Sequence, residues 1–508
     1  MTITSNLFFL LTALWIILYY VLPKRFQWVI LLICSYSFYL IASVPATLCL
    51  MFSTVVTFLF TKKMAAVNTE GMKNKEIVAA KRKYLVPGLI INLIPFAIYQ
   101  YTDIVRGDIN ILFGTDLQLF HFAVPIGMAY YILQVTGYML DVYWERTTVE
   151  TNIFKYALFV SFFPQMFQGP VNKHQNLMHQ LTEEHTLTVN RLKHGILRIV
   201  WGLFKIFVIS EWAALYSDAI FEDPDKLAGI TIFGVLLYTI ELYGNFAGGI
   251  DVALGVSEIF GITLQENFKQ PLFSVSIADF WRRWHVSLCI WMKDYVFYPL
   301  QLSRGMLKFQ KIAKKIFGKS KGRPITIAVS GILTFLTVSM WHGLSWMTFA
   351  WGVYNGFFEG VGGIFVKEFR AMKKALHIND KSKGWHVFMV LRTFALFNIM
   401  NYTDTCSSFS EIFHIVKLSV TNFDPSLFLT ISSGKLGTAY TPYALATILV
   451  GCGIWFFVSF NKEKGIDVRA ALDARPVPLQ VFIVIALLVC VAFFSPISAG
   501  KGFIYAQF

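Results

Sequence analysis

Charged residues are scarce in this chain. Of its 508 residues, 15% are Asp, Glu, Lys or Arg, whereas 56% are hydrophobic. An ordinary soluble domain carries about 25% charged residues, so the composition excludes a soluble globular fold. The mean hydropathy is +0.57, and apolar runs recur at about the 20-residue length that spans a bilayer as a helix. The sequence therefore predicts an all-α, multi-pass membrane protein.

Cysteine is also sparse, and the usual signatures of metal and nucleotide chemistry are missing. None of the six cysteines forms a C-x-x-C pair, so neither a disulfide framework nor a zinc site is predicted. The chain lacks the H-E-x-x-H motif of zinc proteases and the Walker A motif of nucleotide-binding proteins. No carboxylate stands at metal-ligand spacing from the two histidines considered below, His285 and His342. We predict no bound metal and no bound cofactor.

The net charge of +14 comes from basic residues that cluster between apolar runs. Basic loops in that position face the cytoplasm and so set the orientation of a membrane protein. The basic residues are therefore explained without nucleic acid, which is not a predicted partner. Membrane lipids are predicted partners. The densest cluster, 304–323, contains eight Lys or Arg and no acid. It is either a juxtamembrane basic segment or a site for anionic lipid or for donor phosphates.

Thirteen apolar segments are candidate spans, and about ten to twelve are expected to cross the membrane fully, with re-entrant and interfacial pieces among the rest. The candidates are 6–22, 27–43, 46–61, 85–101, 120–140, 153–169, 195–216, 228–250, 324–341, 343–364, 387–402, 440–460 and 478–496. We expect both termini outside the cytoplasm. We also expect one domain over 1–508, with N-terminal spans in 1–150, a catalytic core in 151–365 and C-terminal spans in 366–508.

Two histidines flanked by tryptophan stand out. His342 lies near the middle of the range 324–358, which contains no Asp, Glu, Lys or Arg. An ionisable side chain in such a stretch indicates function by default, and histidine exchanges a proton near neutral pH. The alternative is a histidine that only hydrogen-bonds a neighbouring helix, and it applies to His285 as well.

The segment around His285 has two chemically different sides if 279–295 is a continuous helix. Trp281, Trp284 and His285 fall on an aromatic side, and Arg282, Arg283 and Lys293 fall on the opposite side. This pattern predicts an interfacial amphipathic helix. It would hold His285 near the cytoplasmic mouth of a cavity that His342 also lines.

A neutral histidine in a pocket of low dielectric constant is a suitable general base for a hydroxyl group. Acyl transfer from a thioester to an alcohol requires one such base and hydrogen-bond donors for the developing oxyanion. The two histidines therefore favour this chemistry.

These motifs resemble a known family. Phe280-Trp-Arg-Arg-Trp-His285 followed by Lys293-Asp-Tyr295, together with Trp341-His342-Gly343, is similar to the signature of the membrane-bound O-acyltransferase family, in its alginate O-acetyltransferase branch. Further similarity covers 18–23, 35–39, a re-entrant region at 157–170 and the tail at 503–508. Part of the sequence also resembles the teichoic-acid D-alanyl transfer proteins, a sister branch.

The resemblance implies a helix bundle that encloses a tunnel, with His342 as the catalytic histidine and His285 beside it. The remaining expected site residues are Trp341, Trp284, Trp281, Asn245 and Gln168 along the tunnel, and Arg282, Arg283 and Lys293 at the donor phosphates. The cations could equally anchor the interfacial helix, and the tryptophans could be plain packing. The alginate branch usually has aspartate where Asn245 stands, which weakens the assignment of Asn245.

We therefore expect a histidine-dependent O-acyltransferase of the bacterial cell (inner) membrane. It would move an acyl group, foremost acetyl, from cytoplasmic acetyl-CoA or a carrier-protein thioester to hydroxyls of an exported polysaccharide, directly or through an extracytoplasmic acyltransferase partner. One alternative is D-alanyl transfer to teichoic acid. An alternative from another class is a transporter of polysaccharide or lipid-linked sugar.

Overall fold

The structure is a computed structural model that describes residues 3–120, 124–166, 168–427 and 442–496. Over these ranges the chain is helical and contains no strand, which confirms the predicted all-α fold. Among the described residues, eight helical stretches are long and apolar enough to cross a membrane. They are Lys24–Ala42, Val44–Ala65, Asn74–Phe113, Val189–Glu222, Ala228–Ile259, Arg304–His342, Tyr443–Glu463 and Val477–Phe494.

The chain divides into two compact units. The first comprises Met1–Ile199 and Ile250–Gln265. Its helices are α1 (Asn6–Val21), α2 (Gln27–Ala42), α3 (Val44–Ala65), α4 (Asn74–Phe113), α5 (Met128–Tyr143), α6 (Ile153–Ser161), α7 (His174–Thr182) and the start of α8 (Val189–Leu203).

One predicted span in the first unit is wrong as a continuous helix. Within 153–169, α6 has nine residues, and a short 3-10 turn over Phe163–Gln165 follows it. Nine residues are too few to cross a bilayer. Gln168 follows this turn and is buried, and the amide of Asn172 donates to the side chain of Gln165 (3.2 Å). The short helix and its buried turn agree with the re-entrant region that the resemblance implies.

The second unit comprises Val200–Gly249 and Glu266–Phe508. It includes two stretches of π-helix, Phe204–Ser210 and Lys293–Phe297. Its other helices are α9 (Glu211–Glu222), α10 (Thr231–Ile259, of which the last turns belong to the first unit), α11 (Ile277–Arg283), α12 (Val286–Met292), α13 (Tyr298–Gln301), α14 (Arg304–His342), α15 (Trp346–Ile364), α16 (Val366–Ala375), α17 (Lys383–Thr405), α18 (Phe409–Thr421), α19 (Pro442–Glu463), α20 (Val468–Asp473) and α21 (Val477–Phe494).

The basic cluster 304–323 forms the beginning of α14. Gly318 interrupts this helix with φ of 81°, a value that glycine adopts without steric cost. Five of the eight basic residues precede the kink, and the other three follow it, before the apolar part that ends at His342. The basic residues are therefore helical, and they precede the segment that carries His342.

Small residues bring α14 and α15 close together. Gly352, Gly356 and Gly360 are spaced four apart on α15 and face α14. A Cβ atom placed on Gly356 would lie 2.4 Å from the Cα of Ile332. Small residues at such spacing allow close helix packing in membranes, where apolar burial drives association weakly. The contact fixes α14, and hence His342, against α15.

Polar side chains join α17 to α10. Thr239 donates its hydroxyl proton to the side-chain oxygen of Asn398 (2.8 Å), and the amide of Asn401 donates to the Thr239 hydroxyl (2.7 Å). All three side chains are buried. These bonds hold the last turns of α17 in a defined position.

The tail at 503–508, part of the resemblance, lies outside the described residues.

Candidate active site

His285 lies at a break between two helices. The prediction of one helix over 279–295 is wrong: α11 ends at Arg283, Trp284 is extended, and α12 begins at Val286. His285 has φ of 45° and ψ of 49°, the left-handed conformation in which histidine is one of the few tolerated residues besides glycine. A continuous helix would not place the imidazole as this turn does.

Asn267 holds the turn in place. Its carbonyl accepts from the Val286 amide (3.0 Å), and its side-chain oxygen accepts from both the amide (2.9 Å) and the hydroxyl (2.8 Å) of Ser287. Asn267 is fully buried, so these bonds are shielded from water. The break at His285 is therefore a fixed feature of the fold, set by an earlier segment of the chain.

The imidazole of His285 is enclosed. The residue is 2% exposed, and its ring packs edge-on against Phe246 with 4.8 Å between centroids. Neither ring nitrogen forms a hydrogen bond with any residue that the structure describes. Burial, with a smaller contribution from nearby His342, lowers the pKa of His285 to about 3. At neutral pH the ring is therefore neutral, with one N–H donor and one acceptor nitrogen.

His342 is the last residue of α14. Gly343 follows it and donates its amide to the carbonyl of Ser339 (3.0 Å), which closes the helix. The imidazole ring lies 4.6 Å from the ring of Trp341 and 6.0 Å from that of Trp351, between centroids. His342 is therefore positioned by a helix end and by aromatic neighbours from α14 and α15.

Both histidines line one chamber in the second unit. A lobe of about 360 Å³ contains both, together with Leu242, Trp281, Trp284, Leu288, Val338, Trp351, Phe397, Met400 and Asp404. A second lobe of about 430 Å³ contains Tyr238, Leu242, Ser339, His342, Thr348, Trp351 and Asp404. Because the lobes share four residues, we treat them as one chamber.

Two of the predicted tryptophans form its wall. The indole N–H of Trp281 donates to the side-chain oxygen of Asn355 (3.0 Å), whose amide in turn donates to the carbonyl of Trp351 (2.8 Å). Trp284 stacks on Phe280 with 5.4 Å between centroids. Rings that are this closely packed and hydrogen-bonded provide a rigid apolar surface.

The other expected tunnel residues lie elsewhere. Trp341 is buried beside His342 but is not among the residues found to line the chamber. Asn245 lies one turn after Leu242 on α10, and its side-chain oxygen has no hydrogen-bond partner among the described residues. Gln168 lies in the first unit. The tunnel roles of these three remain predictions.

The three expected donor-binding cations differ in their surroundings. Arg283 pairs with Glu463 (2.6 Å) and with Asp279 (3.2 Å). Arg282 is mostly exposed and lies 3.8 Å from Asp279, and the ammonium of Lys293 lies 5.5 Å from the ring centroid of Tyr298. The charge of Arg283 is thus already compensated, whereas Arg282 and Lys293 are open to solvent. Phosphate binding by these cations remains a prediction.

The structure adds residues that sequence reasoning missed. Asp404 and Trp351 line the chamber. Asn267 fixes the turn that carries His285, and Asn355 accepts a hydrogen bond from Trp281. Asp404 comes just after the predicted span 387–402, so it resembled an ordinary loop acid. Asn355 lies within the uncharged range around His342, and a polar amide in such a range was a usable signal.

The low pKa of His285 predicts a pH-dependent stability. Between pH 6.5 and pH 3 the unfolded chain binds a proton at this position and the folded chain does not, so stability falls as pH falls. From about pH 7 to about pH 5 the loss is about 2 kcal/mol by this linkage. We expect His285→Asn, which tolerates the left-handed backbone, to remove that part of the pH dependence.

The measurement is the thermal unfolding midpoint of the detergent-solubilised protein at both pH values. The matched control is His386→Asn, because His386 is exposed and the same change of residue type is made there. An equal pH dependence in the wild type and in His285→Asn would contradict the buried neutral state of His285.

Sequence comparison agrees with this geometry. The family model described as MBOAT, membrane-bound O-acyltransferase family, matches residues 145–402, a range that contains both histidines, α10 and most of α17. This is half of the chain. The chain belongs to this family.

Individual relatives include enzymes of several surface polymers. The chain is 30% identical to a probable alginate O-acetylase of Azotobacter vinelandii over 361 residues, 70% of this chain and 67% of the relative. It is 29% identical to a peptidoglycan O-acetyltransferase of Helicobacter pylori over 305 residues, 55% of each. It is 32% identical to a teichoic acid D-alanyltransferase of Bacillus subtilis over 203 residues, 39% of this chain and 48% of the relative.

Proposed function

We propose that this membrane-bound O-acyltransferase moves an acetyl group from a cytoplasmic thioester, acetyl-CoA or a carrier-protein thioester, to a hydroxyl of an exported polysaccharide in the cell membrane. The observation that carries the proposal is the chamber: two histidines line it, and the ring nitrogens of His285 are buried and make no hydrogen bond with described residues. Alginate and peptidoglycan O-acetylating relatives support acetyl as the group.

In the proposed reaction His342 acts as the general base. It takes the proton of the acceptor hydroxyl as the hydroxyl oxygen attacks the thioester carbonyl carbon. The carbon–sulfur bond then breaks, and the leaving thiolate receives the proton from His342. The products are an ester and a free thiol, and His342 returns to its neutral form.

His285 stabilises the negative charge that develops on the carbonyl oxygen. A neutral imidazole can donate its single N–H to that oxygen, and a donor fixed in a buried site needs no reorganisation during the reaction. The left-handed turn and Asn267 provide the fixed position. Trp281 and Trp284 exclude water from the thioester, which limits hydrolysis.

The proposed reaction has a partner on each side of the membrane: the thioester donor in the cytoplasm and an acyltransferase outside it. Arg282 and Lys293 are available to the phosphates of the donor, because both side chains reach solvent. We propose that a separate extracytoplasmic acyltransferase can receive the acyl group and complete its transfer to the polymer.

The test compares cells that lack this protein with cells that carry it from a plasmid. Surface polysaccharide is isolated, and ester-linked groups are released with mild base and identified by mass spectrometry. We expect ester-linked acetate to appear with the protein while polymer yield stays the same. Acetate independent of the protein, or a polymer missing altogether without it, would contradict acetyl transfer, and the second result is the one a transporter predicts.

D-alanyl transfer to teichoic acid is the second candidate, and the Bacillus subtilis relative favours it. The same experiment separates the two, because base then releases D-alanine in place of acetate. The donor separates them as well: a carrier-protein thioester would replace acetyl-CoA in an assay with purified protein.

A further inference from the structure

Asp404 is an acid within the chamber that the proposed reaction does not use. It lines both lobes together with His342, and it is the single acidic residue among the residues that line them. Its side chain is accessible and has no hydrogen bond or ion pair with the residues that the structure describes. An ionisable side chain that is accessible inside a membrane protein indicates function.

The carboxylate is held by a rigid element. Asp404 lies in the last turn of α17, three residues after Asn401, and the bonds of Asn401 and Asn398 to Thr239 fix this part of the helix. Binding groups on supported helices are positioned more accurately than those on loops. Asp404 is thus a rigidly positioned part of the chamber wall.

The charge pattern places Asp404 on the extracytoplasmic side. Both α14 and α17 begin next to segments rich in Lys and Arg, 304–323 and 367–383, and such segments face the cytoplasm. His342 and Asp404 lie at the opposite ends of these helices. An acceptor that arrives from outside would therefore meet Asp404, whereas the thioester donor would enter from the cytoplasm.

We propose that Asp404 binds the acyl acceptor and restricts it to glycans whose entering groups are neutral or cationic. A carboxylate accepts hydrogen bonds and donates none when ionised, so it suits sugar hydroxyls or an ammonium. Burial raises the pKa of Asp404 to about 7, so at pH 7.5 most of the carboxyl is ionised. In that form it repels a uronate, because like charges interact strongly at low dielectric constant. The acetyl group of the donor offers it no hydrogen-bond donor. This inference rests on the proposed acyl transfer.

The test uses the purified full-length protein in lipid nanodiscs at pH 7.5, with acetyl-CoA and three disaccharides. Cellobiose is neutral, fully deacetylated chitobiose is cationic, and cellobiouronic acid is anionic. We expect the wild type to acetylate the first two about tenfold more efficiently than the third. Asp404→Asn should raise KM for cellobiose about tenfold, because one charge-assisted hydrogen bond is lost, and should reduce the discrimination against the uronate.

Two further variants separate binding from structure. Asp404→Glu retains the charge and should restore part of the preference. Asp225→Asn removes an exposed charge outside the chamber, paired with His414 (2.9 Å), and should leave the preference and both KM values as in the wild type.

Three results would overturn the inference. One is an unchanged preference in Asp404→Asn. Another is a rise confined to KM for acetyl-CoA, which would move Asp404 to the donor side. The third is no transfer to any disaccharide while cells with the wild type carry polymer esters, which would mean that the acceptor is not a glycan. Absence of polymer esters from those cells is instead the failure of the proposed function.

Discussion

His342→Ala is expected to lower the rate of ester formation by about 10²- to 10⁴-fold, the usual contribution of a general base. The change removes the only group proposed to take the proton of the acceptor hydroxyl. Because the backbone bond from the Gly343 amide to the Ser339 carbonyl closes α14, the side chain of His342 can be removed without loss of the helix end. The measurement is ester-linked acyl groups on surface polysaccharide, at equal amounts of protein in the membrane.

The matched control is His386→Ala. His386 lies in the first turn of α17, and its side chain is exposed. It should give wild-type ester content. His342→Gln adds a second comparison, since glutamine keeps polar atoms and cannot act as a base at neutral pH. Wild-type ester content in both His342 variants would remove this histidine from the chemistry.

Gly356→Leu should destabilise the second unit by about 3 kcal/mol or more, as overpacking of a close contact does. A side chain at this position meets the backbone of Ile332, and the Cβ atom alone would lie 2.4 Å from its Cα. The helices α14 and α15 must then separate, and the chamber between His342 and Trp351 must change shape. We expect a lower unfolding temperature in detergent and a parallel loss of acyl transfer.

Gly362→Leu is the control on the same helix, because a Cβ atom at Gly362 would meet nothing within 4 Å. Both changes add the same side chain and remove one glycine from α15. Equal stability of the two variants would show that the close approach at Gly356 does not hold the helices together.

The apolar runs and the two histidines were predictable from the sequence because each depends on local composition. Helices of bilayer length follow from hydropathy alone, and His342 is conspicuous because the surrounding range carries no charge. The family signature around His285 is equally local. These features identify the residues of the chamber before their distances are known.

The break at His285 could not be predicted in this way. The alternation of aromatic and basic residues over 279–295 fits a helix, yet Asn267 competes with that helix by binding the backbone at Val286 and Ser287. Such a tertiary contact overrides a local pattern. Asp404 was missed for a similar reason: only the packing of α17 against α10 shows that this acid faces the chamber.

The left-handed backbone at His285 also limits which residues can replace this histidine in evolution. Residues branched at Cβ are strained in that conformation, whereas Asn, Asp and Gly adopt it readily. Asparagine would keep both the turn and a hydrogen-bond donor, yet it could not accept a proton. The fold thus allows the position to lose its acid–base chemistry while it retains the ability to polarise a carbonyl group. Substitutions at residue 285 are therefore expected to introduce short polar side chains.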